Sequence, residues 1–214
     1  VSDRDRAYSL PLFELNGDLN PYGLAIRVRV NGGAAISLLL DSGARGLVLN
    51  PSASKDLGLN PLTRSAVFGF GSSAPTLAHV ALASFVEAGD FKIGNVLVEV
   101  SERDIVPRAD GLIGLELFKD FVVRLDARAR RLDLTPVGTS SCDGCTQAYR
   151  LDHLLLLPAV VNGQASGNFI LDTGASINLV AEEIVPGGGR TSRLLGAQGV
   201  QEVFLRTRPV SLRI

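Results

Sequence analysis

The sequence Leu38-Leu39-Leu40-Asp41-Ser42-Gly43-Ala44 returns later in the chain as Phe169-Ile170-Leu171-Asp172-Thr173-Gly174-Ala175. In each copy an apolar run leads into an aspartate, followed by a small hydroxyl residue, a glycine and an alanine. A carboxylate at the end of a buried strand is costly unless the protein uses it. The matching contexts predict two similar halves that bring the aspartates together, since two carboxylates sharing a proton can carry out acid and base chemistry on one water molecule.

The similarity of the two halves extends beyond these two motifs. Asn31-Gly32 and Asn162-Gly163 stand at the same distance before the two aspartates, each between apolar runs. An Asn-Gly pair in this setting is a strong β-hairpin signal. One D-[ST]-G motif would be weak evidence, but two in the same register indicate an internal repeat.

The composition narrows the class of protein. The chain has 214 residues, of which 46% are hydrophobic and 20% charged, enough for one large or two small globular domains. A net charge of −1 gives no electrostatic support for binding nucleic acid or an anionic membrane. No apolar stretch approaches the length of a membrane span. The 23 glycines and short apolar runs favour an all-β protein with tight turns.

We predict a first lobe over residues 1–137, a linker over 138–148 and a second lobe over 149–214. The linker contains the only cysteines, Cys142 and Cys145. A zinc site needs about four ligands, and a thioredoxin-like motif would open a helix after a strand, so a structural disulfide or two unused thiols is expected. An oxidised pair would favour an exported protein, periplasmic or extracellular. We expect no cofactor and no metal.

The motifs resemble those of the aspartic protease clan, and specifically its retropepsin-like branch. The resemblance is carried by the two aspartate motifs and by Leu112-Ile113-Gly114, and it covers most of the chain from Leu24 onward. It implies an all-β acid-protease (pepsin/retropepsin-like) fold, with two pseudo-twofold-related β lobes around a cleft. It also implies an aspartic endopeptidase that acts on extended polypeptides, with Asp41 and Asp172 as the catalytic pair.

The same resemblance assigns supporting roles to other residues. The residues expected to support the catalytic pair are Ser42, Gly43, Ala44, Thr173, Gly174 and Ala175. The residues expected to form flaps over the substrate are Phe68, Gly69, Phe70, Gly71, Ser72, Gly196 and Gly199. Ordinary strand packing remains an alternative for the two phenylalanines.

The chain departs from the family pattern in two respects. Arg45 and Ser176 stand where retropepsins usually carry aspartate. The counterpart of Gly114 in the second half would fall beyond Ile214, so the second lobe is expected to be truncated. Since Val1 and the lack of methionine suggest an excised piece, either the natural protein continues or a neighbouring molecule supplies the strand. Uncovered strand edges favour such pairing, as a homodimer or by strand exchange.

Two other interpretations of the aspartates stay open. They could be turn residues whose side chains cap backbone N–H groups, as aspartates often do. Alternatively, the fold could be a non-catalytic module that binds peptides or self-associates. For an active enzyme, Ala44 and Ala175 offer no hydroxyl to stabilise the ionised pair, so we expect activity at mildly acidic to neutral pH.

Overall fold

The computed structural model describes residues 2–16, 21–71, 74–138, 144–185, 189–196, 198–205 and 209–214. These residues are mostly in β-strands, as the sequence predicts. The strands of the first half are β1 (Tyr8–Asn16), β2 (Pro21–Val30), β3 (Ala35–Leu40), β4 (Leu47–Leu49), β5 (Pro61–Val67), β6 (Thr76–Ala88), β7 (Phe91–Ser101), β8 (Gly111–Ile113), β9 (Phe121–Asp126) and β10 (Arg131–Pro136). Those of the second half are β11 (Tyr149–Leu151), β12 (Leu154–Val161), β13 (Ala165–Ile170), β14 (Arg190–Gly196), β15 (Gly199–Leu205) and β16 (Leu212–Arg213). A short helix α1 (Pro51–Ser54) and a 3-10 helix (Leu115–Phe118) complete the first half.

The first lobe is one ten-stranded sheet, in the order β5-β6-β7-β4-β8-β3-β2-β1-β10-β9. Its strand β3 lies between an antiparallel neighbour, β2, and a parallel neighbour, β8. Strand β4 lies between β7, which is parallel to it, and β8, which is antiparallel. The sheet curves so that core side chains cover both faces of β3.

The leucine run before Asp41 is explained by this double burial. Leu38 and Leu40 pack in one core cluster, whereas Leu39 packs in a second cluster on the opposite face of the strand. A strand covered on both faces needs a continuous apolar run instead of an alternating one. Asp41 therefore directly follows a strand that is buried on both faces.

The predicted Asn-Gly hairpins are present in both halves. Asn31 and Gly32 have φ angles of 51° and 76°, and Asn162 and Gly163 have φ angles of 51° and 69°. Two successive left-handed residues define a type I′ turn, whose twist suits a β-hairpin. In both hairpins the turn is closed by the same backbone hydrogen bond, Gly33 N–H to Val30 O and Gln164 N–H to Val161 O.

The second lobe is less enclosed than the first. Strands β11, β12 and β13 form a sheet that β16 joins through β12, and β14 and β15 form a separate hairpin. Within the described residues β13 pairs only with β12, whereas its counterpart β3 has a neighbour on both sides. Ile170 and Leu171 are accordingly 52% and 41% exposed, against 3% for Leu39 and 0% for Leu40.

The predicted linker separates the two sets of strands. The ten-stranded sheet ends at Pro136, and β11 begins at Tyr149. Cys145 is disulfide-bonded, while Cys142 lies outside the described residues. Among the described residues, the helices are too short and too polar to cross a membrane.

Candidate active site

Asp41 is held in place by hydrogen bonds at the end of the neighbouring strand β8. The Asp41 N–H donates a 3.0 Å hydrogen bond to the carbonyl oxygen of Ile113, and Gly114 N–H donates to Gly46 O at 2.7 Å. A Cβ atom on Gly114 would lie 2.2 Å from the carbonyl oxygen of Ala44. The glycine after Leu112-Ile113 is therefore required, because β8 runs directly beneath the loop of residues 41–46, here called the Asp41 loop.

The glycine of each motif faces the aspartate of the other. A Cβ atom on Gly174 would lie 2.6 Å from Cγ of Asp41, and one on Gly43 would lie 3.1 Å from Cγ of Asp172. A residue larger than glycine at position 43 or 174 would therefore crowd the carboxyl group of the opposite motif. The arrangement brings the two predicted aspartates together across the interface between the lobes.

The environment of Asp41 favours its protonated form. Burial first, and then the negative charge of Asp172, raise the pKa of Asp41 to about 7. The backbone N–H groups of Gly43 and Ala44 oppose this increase, and Gly43 N–H lies 2.8 Å from Asp41 Oδ1. Since titrations of such a pair are coupled, the proton belongs to both carboxyl groups.

Asp172 has a more open environment. It is exposed, and its Oδ1 accepts hydrogen bonds from the backbone N–H groups of Gly174 (2.9 Å) and Ala175 (3.2 Å). Two neighbouring carboxyl groups that share one proton are the arrangement needed for combined acid and base chemistry.

The two motifs are joined by a reciprocal set of hydrogen bonds. Ser42 N–H donates to Thr173 Oγ1 and Thr173 N–H donates to Ser42 Oγ, both at 3.0 Å. The hydroxyl of Ser42 then donates to Leu171 O, and that of Thr173 to Leu40 O, both at 2.7 Å. Each hydroxyl both accepts from and donates to the other lobe, so the network fixes the separation of the two loops.

Two hairpin tips meet in the structure. The tip between β5 and β6 contains Gly69, Phe70 and Gly71, and the tip between β14 and β15 runs from Gly196 to Gly199. The backbone N–H of Gln198 donates a 3.0 Å hydrogen bond to Phe70 O, and a Cβ atom on Gly196 would lie 2.0 Å from that oxygen. Phe68 is 72% exposed and Phe70 42%, which does not fit packing inside a core. Ser72 lies outside the described residues.

Sequence reasoning missed a histidine beside the Asp41 loop. Nε2 of His153 lies 3.1 Å from the carbonyl oxygen of Gly43, and its Nδ1 lies 3.2 Å from Oδ2 of Asp152. Arg45 forms an ion pair with the same carboxylate. His153 and Gly43 are far apart in the sequence and form no known motif. The only feature of the sequence that pointed to this contact was Arg45, which stands where retropepsins usually carry aspartate.

A family model described as aspartyl protease matches residues 26–117, which is most of the first lobe and less than half of the chain. Comparison with curated proteins gives no match.

Two solved structures of aspartic proteases resemble large parts of the chain. An aspartic proteinase from Irpex lacteus is similar over 90% of this chain and 73% of its own, with 17% identity and a TM-score of 0.54. A retropepsin-like aspartic protease from Rickettsia conorii matches 60% of this chain and 89% of its own, with 18% identity and a TM-score of 0.43. The chain has the aspartic protease fold, and the prediction of this all-β fold is confirmed.

Proposed function

We propose that the protein is an aspartic endopeptidase in which Asp41 and Asp172 activate a water molecule to hydrolyse a peptide bond. The observation that carries the proposal is the mutual placement of the two carboxyl groups, each against the glycine of the other motif. Capping of nearby N–H groups alone would explain neither this reciprocity nor the pKa of Asp41, which is raised to about 7.

The pair supplies both a base and an acid. The ionised carboxylate takes a proton from water, whose oxygen attacks the carbonyl carbon of the substrate. The protonated carboxyl gives its proton to the carbonyl oxygen, which forms a neutral tetrahedral intermediate. As that intermediate collapses, the ionised carboxylate takes a proton from one of its hydroxyl groups, the C–N bond breaks, and the protonated carboxyl group gives its proton to the leaving amine. The pKa of Asp41, raised above its ordinary value, favours this residue as the first proton donor.

The hairpin tips suit an extended polypeptide as the substrate. The tips of β5–β6 and β14–β15 touch through the Gln198–Phe70 hydrogen bond, and we assign them the role of flaps that cover the substrate. Exposed Phe68 and Phe70 offer apolar surface for substrate side chains. Closure over the substrate would exclude bulk water and strengthen the electrostatics of the pair.

The proposal is tested by single substitutions at the pair. Asp41→Asn and Asp172→Asn should each abolish cleavage of a peptide library between acidic and neutral pH while circular dichroism stays unchanged. Asp56→Asn, at an exposed aspartate after α1, is the matched control and should remain active. A statine-type inhibitor should block the wild-type protein.

The outcome also separates the enzyme from a binding module of the same fold. Full activity in either Asn variant would refute the mechanism. Peptide binding without cleavage by the wild-type protein would instead support a non-catalytic module.

A further inference from the structure

Both ring nitrogens of His153 face hydrogen-bond acceptors. Nε2 faces the carbonyl oxygen of Gly43 at 3.1 Å, and Nδ1 faces the carboxylate of Asp152 at 3.2 Å. A carbonyl oxygen and an ionised carboxylate only accept hydrogen bonds, so each ring nitrogen must donate. Making both hydrogen bonds together therefore requires the positively charged imidazolium.

The charged groups around His153 support this form. The hydrogen bond from His153, and then the charge of Arg45, hold the pKa of Asp152 below its usual value, so that carboxylate stays ionised. Arg45 comes from the Asp41 loop and Asp152 from the turn after β11. Arg150 of β11 binds the backbone oxygen of Asp152 at 2.7 Å and pairs with Glu116 of the 3-10 helix. The cluster thus joins the two lobes beside the catalytic pair.

One peptide group connects His153 with Asp41. Its carbonyl oxygen belongs to Gly43 and accepts from His153. Its N–H belongs to Ala44, donates a 3.2 Å hydrogen bond to the main-chain carbonyl oxygen of Asp41 and favours the ionised form of the Asp41 side chain. Hydrogen bonds in such a chain polarise one another. A cation at the carbonyl end strengthens the N–H as a donor to Asp41.

We infer that His153 is a positioning residue of the proposed peptidase, which fixes the Asp41 loop through the Gly43 carbonyl and stabilises the ionised form of the Asp41–Asp172 pair through the Gly43–Ala44 peptide. The inference rests on the proposed function for its catalytic consequence, although the protonation of His153 does not depend on it. No direct contact of His153 with substrate is required.

The kinetics of two variants separate the effect of the hydrogen-bond donor at His153 from the effect of its positive charge. His153→Ala removes both, so kcat should fall about tenfold, equivalent to one lost hydrogen bond, with KM unchanged. Its acidic limb in the pH profile of kcat/KM should move to higher pH, because the ionised pair loses support. His153→Gln restores a neutral donor and should recover kcat, but the acidic limb should stay shifted. His79→Gln, at the only other histidine, which lies in β6, is the control and should match the wild type.

Nitrogen-15 NMR of the imidazole rings tests the protonation without any assay of activity. In the His79→Gln protein only His153 contributes ring signals, and two N–H groups are expected at mildly acidic pH. A neutral ring with one N–H there would overturn the inference. A His153→Ala variant with unchanged kcat and an unchanged pH profile would also overturn the inference. The same holds if kcat falls equally in both His153 variants and the fall follows the loss of folded protein. Absence of cleavage by the wild type would refute the proposed function instead, and leave the NMR result to stand alone.

Discussion

Asp41 and Asp172 have nearly the same sequence neighbours but different surroundings. Asp41 follows a strand that is covered on both sides by β2 and β8, whereas Asp172 follows one whose end is exposed. The same motif thus gives one partly buried carboxyl group and one open to solvent. Because the pKa of Asp41 is raised to about 7, the expected pH range of activity, mildly acidic to neutral, has a physical basis at this residue.

The raised pKa of Asp41 predicts how stability depends on pH. Between the ordinary value of 3.8 and the folded value of about 7, the folded state binds more protons than the unfolded state. The free energy of unfolding should therefore fall as pH rises through this window, by at most about 1.4 kcal/mol per pH unit. Asp41→Asn should flatten the dependence, as measured by urea unfolding at a series of pH values.

Other carboxyl groups should not obscure this effect. The pKa values of Asp133, beside Ser9, and Asp152, beside His153, are lowered, so their stabilising contributions are lost only below the window. An Asp41→Asn protein with the wild-type slope would show that another group carries it.

The glycines that face the carboxyl groups should tolerate alanine unequally. Gly174→Ala would place a Cβ atom 2.6 Å from Cγ of Asp41, whereas Gly43→Ala leaves 3.1 Å to that of Asp172. We expect Gly174→Ala to reduce kcat by more than about 100-fold, and Gly43→Ala by less, because small misplacements at a reaction centre are costly. Gly167→Ala, where nothing lies within 4 Å, should keep its activity. Steady-state kinetics on the three variants provide the comparison, and the reverse order of Gly43 and Gly174 would contradict it.

At the level of elements, the Ser42–Thr173 network connects the ends of β3 and β13. Ser42→Ala removes one hydroxyl and leaves Thr173 N–H and Leu171 O without their partner. A buried group without a partner costs about 1–3 kcal/mol, so the free energy of unfolding should fall by that order. Thr173→Val should have a similar effect, and Thr173→Ser, which keeps the hydroxyl, should be much milder.

The double variant shows whether the two hydroxyls act as one unit. Because they share partners, the combined loss in Ser42→Ala/Thr173→Val should be smaller than the two single losses added together. Additive losses in chemical denaturation would mean that the two loops are held independently.

The sequence predicts some elements better than others, for a local reason. Asn31-Gly32 and Asn162-Gly163 encode their turns within a few residues, so the β2–β3 and β12–β13 hairpins could be predicted. The strand β8 between β3 and β4 depends on contacts across long stretches of chain, and only the family resemblance indicated its position. The contact of His153 with Gly43 depends on how the lobes dock, which no local pattern records.

Across the whole molecule, burial is concentrated in the first lobe. Among the described residues, the second lobe contributes only Ala159 and Val161 to the buried hydrophobic side chains. Local opening requires less energy where few apolar contacts are broken. Amide hydrogen exchange, followed by mass spectrometry, should therefore be faster in β12–β13 than in β2–β3, although the two hairpins match in sequence. Equal protection would indicate that the lobes unfold as one unit.

The bilobal fold followed from the repeat, but the imbalance between the lobes could be anticipated only in part. The apolar run Phe169-Ile170-Leu171 predicts a buried strand, yet Ile170 and Leu171 are exposed because β13 has one neighbour in the described part of the chain. Strand exchange or dimerisation through this edge remains a prediction, which sedimentation at several protein concentrations would test.

The contact between the hairpin tips has a consequence for engineering. It joins two main-chain groups, Gln198 N–H and Phe70 O, so it does not depend on which side chains stand at these positions. Gly196 is the constrained member, since it has no room for a Cβ atom beside Phe70 O. If the tips are the flaps proposed above, a library that varies Phe68 and Phe70 while keeping Gly196 would change which peptides are bound and preserve the contact between the tips.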